Sequence, residues 1–263
     1  MERMFTVLIT FYNPGGYLIE ALNSIYLQSY SNWKILLVDD ASTDNSVELI
    51  QPYLHNPHVT LIRHSYNQGQ SKSLNTGLQY IDTPFFIQLD ADDWLYPNTL
   101  EVLMKEAVNQ PEDVAVLSGN ININYEDSMG NVYHSYIKKG RSFSDPYEFI
   151  QANCSVWPRC YRTSIIKKIG GWPIDGPYEG RYVEDMRMLF FLIKNYRFYW
   201  IDELMLYHRR HQNNNTNDIN EITETLRWVI EQTLINWGNV YKPLFKYHEY
   251  GLILAGLEKN NCC

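Results

Sequence analysis

Phe85-Phe86-Ile87-Gln88-Leu89-Asp90-Ala91-Asp92-Asp93-Trp94 is the stretch around which the chain is organised. It opens as a short apolar run of strand-like composition and ends in three carboxylates within four residues. Packing alone explains such an ending poorly, because carboxylates resist burial unless they are paired or bound to metal. Asp90 and Asp92 are expected on one face of an extended backbone, where residues i and i+2 lie together. A hard divalent cation, Mn2+ or Mg2+, takes carboxylate oxygens and bridges them to phosphates. The competing reading is a solvated acidic turn, or a helix N-cap before Pro97.

Composition narrows the classes. With 263 residues the chain can bury a substantial core, in one domain with room for an appendage. A formal net charge of −8 argues against a nucleic-acid binder held by a basic surface. No apolar run approaches the roughly 20 residues that span a bilayer, and Phe5 to Phe11 is too short for a signal segment. Cys154, Cys160, Cys262 and Cys263 have no metal-ligand or disulfide spacing, which points to reduced thiols in a cytoplasmic protein.

Outward from the acidic stretch, apolar strands alternate with helices. Thr6 to Phe11, Trp33 to Val38, Val59 to Arg63, Phe85 to Leu89 and Val114 to Ser118 read as strands. Tyr17 to Gln28, a segment capped by Ser42-Thr43-Asp44 and running to about Leu54, Ser71 to Tyr80 and Thr99 to Asn109 read as helices. Continuously apolar strands with helical crossovers are the signature of a parallel sheet covered on both faces. Ligands bind such sheets beyond the carboxyl ends of the strands. Thr10, Asp39, Asp40, Asp90 and Asp92 all collect there.

Neither G-x-G-x-x-G after the first strand nor G-x-x-x-x-G-K-[ST] occurs, so a dinucleotide dehydrogenase and a P-loop NTPase are disfavoured. An acidic crevice repels a diphosphate, and a divalent cation is then needed to bridge the two.

Beyond Gly119 the pattern changes. A hairpin is expected around Asp127-Ser128-Met129-Gly130, and short helices over Pro146 to Gln151 and Ser164 to Ile169, with a strand over Ser155 to Arg162 between them. Trp172 to Tyr182 is rich in Pro and Gly and reads as a mobile loop. Val183 to Asn195 is a helix with Glu184 and Asp185 in its first turn. Phe198 to Ile201 and Leu204 to Tyr207 read as strands. His208-Arg209-Arg210-His211 follows, then a polar run through Asn213-Asn214-Asn215 read as flexible. Asp218 to Trp237 is an amphipathic helix.

Thr10-Phe11-Tyr12-Asn13, Asp39-Asp40-x-Ser42-x-Asp44, Gly69-x-Ser71 through Asn75-x-Gly77, Asp90-x-Asp92-Asp93, Gly170-Gly171, Glu184-Asp185 and Arg209-x-His211-x-x-Asn214 occur in one order. In that order they resemble family 2 glycosyltransferases of GT-A fold, over roughly residues 4 to 216. The resemblance implies an α/β fold with a Rossmann-like, mostly parallel sheet flanked by helices. It implies a transferase domain over 1–217, with a nucleotide-binding half at about 1–119 and an acceptor-binding half at about 120–217. Residues 218–263 are left as a C-terminal helical extension.

The family likeness also implies an activity: inverting transfer of a hexose from a nucleoside-diphosphate sugar, with UDP the family's habit. The acceptor would be a carbohydrate or glycolipid hydroxyl, in bacterial polysaccharide or glycoconjugate synthesis, at most peripherally at the inner face of a membrane. Thr10, Tyr12, Asp39, Lys72, Asp90 and Asp92 would bind the donor. Asp92 and His211 would hold Mn2+ or Mg2+, with His208 the lesser candidate. Asp185 would be the general base, and Glu184 and Trp172 would meet the acceptor, with Trp157, Tyr178 and Tyr182 as further stacking rings. Two rival readings stand beside this one. A sugar nucleotidyltransferase would need a glycine-rich N-terminal loop that Phe11 to Tyr17 lacks; a non-catalytic binding module would not need Asp90, Asp92 and Asp185 together.

Overall fold

The computed structural model describes residues 5–143, 145–212, 214, 218–248 and 251–260. Strands β1 (Phe5–Phe11), β2 (Trp33–Asp39), β3 (Val59–Arg63) and β4 (Phe85–Gln88) run parallel in the order β3-β2-β1-β4. Phe5, Val7, Ile9 and Phe11 of β1 face one apolar layer and Leu8 faces the other. Both faces are therefore covered, which is why the strand reads as an unbroken apolar run. The first layer takes in helices α1 (Tyr17–Tyr26) and, farther along, α4 (Thr99–Ala107). On the second layer lies α3 (Gln70–Tyr80). Gly77 of α3 sits where a Cβ would strike the Leu8 side chain, so the Asn75-x-Gly77 motif sets a close helix–sheet approach.

The expected helix after Asp44 is broken into α2 (Ser46–Leu49) and a 3₁₀ turn, Gln51–His55. Pro52 is the reason: it has no N–H to donate and its ring collides with the preceding turn of an α-helix.

The sheet changes direction beyond β4. Strand β8 (Arg159–Arg162) pairs antiparallel with β4 and with β6 (Val114–Glu126), whose far end forms a hairpin with β7 (Val132–Lys138). The two strands read in Phe198–Tyr207 are one, β9 (Arg197–Arg210), running parallel to β6. The two-residue strand β5 (Trp94–Leu95) closes the order β3-β2-β1-β4-β8-β6-β9-β5. Two registers decide where the site forms. Gln88 pairs with Arg159, so β8 begins where β4 ends. Trp94 pairs with Tyr207, so Asp93 lies beside His208.

Helices α5 (Pro146–Gln151), α6 (Thr163–Lys168), α7 (Glu184–Ile193) and α8 (Ile219–Asn236) pack into the second layer through Phe149, Ile166, Leu189 and Ile230. The C-terminal segment is not purely helical. After α8 comes an antiparallel hairpin, β10 (Tyr241–His248) and β11 (Gly251–Lys259). Leu252 and Leu254 are buried while Ile253 between them is exposed, a period of two that belongs to a strand. Leu254 and Trp237 join the second layer. No helix among the described residues is long and apolar enough to cross a membrane. Asn213, Asn215, Asn217 at the expected domain boundary, Cys262 and Cys263 lie outside the described residues.

Candidate active site

The acidic stretch does not continue as an extended strand. The chain turns after Gln88, and the Asp93 N–H donates to the Asp90 carbonyl at 3.1 Å. Asp90 and Asp92 therefore do not share a strand face as expected; the turn sends the three carboxylates to three different partners. Asp90 Oδ2 accepts from Arg159 Nη2 at 2.6 Å. Asp92 Oδ2 meets His211 Nε2 at 3.2 Å and accepts from Asn214 Nδ2 at 2.9 Å. Asp93 Oδ2 meets His208 Nδ1 at 3.0 Å, and its Oδ1 accepts the Arg209 N–H at 2.9 Å.

Asp93 is thus the buried tie between this turn and β9. His208 meets Asp93 through Nδ1, while His211 faces Asp92, so the two histidines sit on different carboxylates. Burial works against charge on His208, but the Asp93 carboxylate, by charge and hydrogen bond, lifts it above the usual imidazole range. Burial raises Asp92, yet its hydrogen bond from His211 and the charges of His208 and His211 leave it below the ordinary carboxylate value.

Arg159 is the residue the sequence did not single out. It is 3% exposed, and its two terminal nitrogens reach Asp90 and, at 2.9 Å, Asp185 Oδ2 in the first turn of α7. Its Nε–H is buried and has no partner among the described residues. The signal was present: a cation inside an otherwise apolar strand, Arg159-Cys160-Tyr161, needs a carboxylate close by. Desolvation dominates Asp90; Arg159 pulls back, while Asp93, Asp92 and Asp185 push the same way as burial, and the carboxyl rises to about 6. Glu184 is half-buried beside Asp185; desolvation first, then the charges of Asp185 and Asp90, outweigh Arg159 and raise its carboxyl to about 8.

Thr10, Tyr12 and Asp39, expected to bind a donor, lie where β1 and β2 end. Thr10 and Asp39 are buried, and Tyr12 is exposed beyond β1. Asp39 Oδ1 accepts the Ser42 N–H at 2.8 Å, and Oδ2 accepts from Arg63 Nε at 2.9 Å. Asp40 ties down the next loop through the N–H groups of Gln68 and Gly69, both at 2.8 Å. Asn13, in the left-handed region with φ 52, accepts from the backbones of Thr43 and Asp44, and so laces the loops after β1 and β2 together.

Lys72 is ion-paired with Glu179, and Arg181 lies against Gly69 and donates to Asn67 at 2.5 Å. The loop read as mobile is therefore fastened across the start of α3. Its other side is held by α8: the Tyr178 hydroxyl donates to Glu224, and Trp228 fills the space beside Gly176.

Trp172 is not where an acceptor could reach it. It is 2% exposed, packed edge-on to Phe86 and Tyr161, and its backbone is clamped on both sides by the Asn75 amide. Gly171, with φ +82, is needed because a Cβ there would strike Asn75 Oδ1. The expected contact with an acceptor is not met because Gly170 and Gly171, both at positive φ, turn the ring inward. Trp157 is half-buried, with its ring 5.6 Å from that of His208.

Asp92 and His211 face one another, and Tyr17 packs against the His211 ring at 4.6 Å. Among the described residues no group of three or more acidic, histidine or cysteine side chains could hold an ion unaided. The pair suits a cation whose remaining ligands come from a diphosphate and water, not a protein-only site.

Residues 6–170 match the profile described as Glycosyl transferase family 2. The chain belongs to glycosyl transferase family 2. It is 32% identical over 190 residues to the glycosyltransferase GlyA of Streptococcus pneumoniae serotype 4, covering 71% of this chain and 26% of GlyA. The chain thus spans about a quarter of that relative's length. A fragment of S. aureus TarS in complex with UDP-GlcNAc is similar in fold, with TM-score 0.62 and 20% identity over 89% of this chain and 67% of that one. The mannosyltransferase PcManGT from Pyrobaculum calidifontis, in complex with GDP-Man and Mn2+, has TM-score 0.64 and 16% identity over 89% of this chain and 65% of that one. These likenesses establish the GT-A type of fold for this family 2 chain, and the curled α/β sheet agrees.

Proposed function

We propose that this chain is an inverting glycosyltransferase that moves a hexose from a nucleoside-diphosphate sugar to an acceptor hydroxyl, in polysaccharide or glycoconjugate synthesis. The observation that carries the reading is Arg159: one buried guanidinium joins Asp90, on the donor side, to Asp185, at the start of α7. Two acids from distant parts of the sequence are thereby brought to one crevice. The sugar nucleotides in TarS and PcManGT support a donor of that class; UDP is proposed as its nucleotide on the habit of the family.

The ring of the nucleotide base meets Asp39, whose Oδ2 is already positioned by Arg63, with Thr10 and Tyr12 flanking it. Lys72 and Arg181, at the opening of α3, supply positive charge toward the diphosphate. Asp92 and His211 would hold Mn2+ or Mg2+, which when bound offsets the charge of the leaving diphosphate. Asp185 takes the proton from the acceptor hydroxyl as that oxygen bonds to the anomeric carbon and the bond to the diphosphate oxygen breaks. The anomeric carbon passes through an oxocarbenium-like state, as in glycoside hydrolysis. Arg159 keeps Asp185 and Asp90 in fixed orientation, and the loop fastened over α3 excludes water from the donor.

The test is calorimetry with UDP, with and without Mn2+, followed by a panel of nucleotide sugars. Metal-dependent UDP binding is expected. Absence of any metal-dependent nucleotide binding would remove the transferase reading.

A further inference from the structure

Beside the acidic crevice lies a hollow of about 290 Å³ between the β6–β7 hairpin and the segment leading into β8. Its cations are Lys138, Lys139 and Arg141, and no acidic side chain lines it. That is an unusual wall for a chain of net charge −8. Lys139 also reaches Asp202, and Arg141 reaches Glu148, both from outside the hollow. Lys138 has no carboxylate partner among the described residues; its ammonium lies 5.1 Å from the Trp157 ring centre. Ser155, 7% exposed, lines the same hollow with a buried Oγ that has no partner among the described residues. A buried hydroxyl without a partner costs free energy unless something else supplies the hydrogen bond.

The hollow adjoins the site already described through the Trp157 ring. Trp157 forms its inner wall and also packs on His208, and Arg159 lies just beyond on the same segment. On its outer side the face of the hairpin that carries Lys138 goes on to Tyr136 and His134 on β7, with Tyr125 opposite on β6. Their rings lie 5.6 to 6.4 Å apart, a row of flat apolar faces leading away from the cations. Sugar rings stack on such faces.

We propose that this hollow binds an anionic group, a phosphate or a carboxylate, carried by the acceptor chain, while the aromatic row supports the sugars on either side of it. The assignment of that chain as acceptor rests on the transferase reading; the anion site itself does not. Lys138 and Arg141 would supply charge-assisted hydrogen bonds, Ser155 a neutral one, and Trp157 the turn toward Asp185.

The full chain is titrated without nucleotide, using glycerol 3-phosphate and glucuronate against glycerol and glucose. The readout is the tryptophan fluorescence change lost in Trp157→Phe. Saturable binding of an anion and none of its neutral counterpart is expected. The Lys138→Met/Arg141→Gln double variant should weaken it by about tenfold or more. Response to glycerol 3-phosphate alone assigns a phosphate-bearing acceptor, and to glucuronate alone an acidic sugar. Neutral and charged probes binding alike, or a double variant that binds the anions as wild type does, would overturn the proposal. The same proteins are then titrated with UDP. The variants should bind it as wild type does, and a wild type that fails to bind it sinks the transferase reading separately from the anion result.

Discussion

Asp90 and Asp185 share a single guanidinium: Arg159 Nη2 lies 2.6 Å from one carboxylate and Nη1 2.9 Å from the other. The antiparallel register that starts β8 where β4 ends makes this contact. The pairing concentrates acid: Asp93, Asp92 and Asp185 add to burial in raising Asp90, Asp185 and Asp90 add to it in raising Glu184, and Arg159 opposes both shifts.

Removing that buried cation leaves two partly buried carboxylates unopposed. Arg159→Gln should lose about 3 kcal/mol or more of stability in urea denaturation, as for a buried pair deprived of one partner. Adding Asp185→Asn should return part of the loss, because one repelling charge goes with it. Additive losses in the double variant would mean that the two side chains do not interact in solution.

Asp185→Asn on its own separates binding from chemistry. UDP affinity should survive, since Asp185 lies on α7 and not on the loops after β1 and β2 that are proposed to hold the nucleotide. Transfer should fall by about 10²- to 10⁴-fold, the usual scale for a lost general base. Turnover close to wild type would move the base to another residue.

Glu184 gives the pH dependence a sign. Burial first, then Asp185, push it up to about 8 from an ordinary 4.5, with Arg159 pulling back and Asp90 adding. Between those values the folded chain holds a proton that the unfolded chain has released. Stability from this group therefore falls as pH rises through that window. Glu184→Gln should be more stable than wild type at pH 8 and show no such gain at pH 4.5. Parallel stability–pH curves for the two proteins would show that Glu184 is ionised normally in the fold.

The parallel strands were legible because both their faces are apolar, and β1 to β4 lie where the sequence puts them. The three-way division of Asp90, Asp92 and Asp93 was not, because it depends on a turn and on two strand registers that no local pattern encodes. Arg159 escaped notice for the same reason: its partners come from β4 and α7. Gly77 and Gly171 belong to motifs that read as chemistry, and the structure gives them packing reasons. The C-terminal hairpin does carry a local signal, the alternation at Leu252, Ile253 and Leu254, in a stretch too short to distinguish from a helical turn.

Trp172 tests that distinction between packing and chemistry. Its ring is enclosed by Phe86 and Tyr161, so Trp172→Ala should cost about 3 to 5 kcal/mol through the cavity it leaves. Trp172→Phe should keep the acceptor KM while losing some stability. A stable Trp172→Ala with a raised acceptor KM would return the ring to the crevice.

Asp92 is the residue on which metal-dependent donor binding should turn. Its carboxylate stays ionised across the neutral range, since the hydrogen bond from His211 and the nearby imidazoles outweigh burial. It therefore offers a charged oxygen to a cation without first losing a proton. Asp92→Asn keeps an oxygen for the Asn214 amide but removes the charge, so the fold should be little affected. Losing a direct ligand should cost no less than the roughly 10- to 100-fold typical of losing a ligand's outer partner. The variant's UDP affinity with Mn2+ should accordingly drop to that of wild type without metal, and its affinity without metal should not change. A drop that is the same with and without Mn2+ would instead make Asp92 a contact to the nucleotide itself.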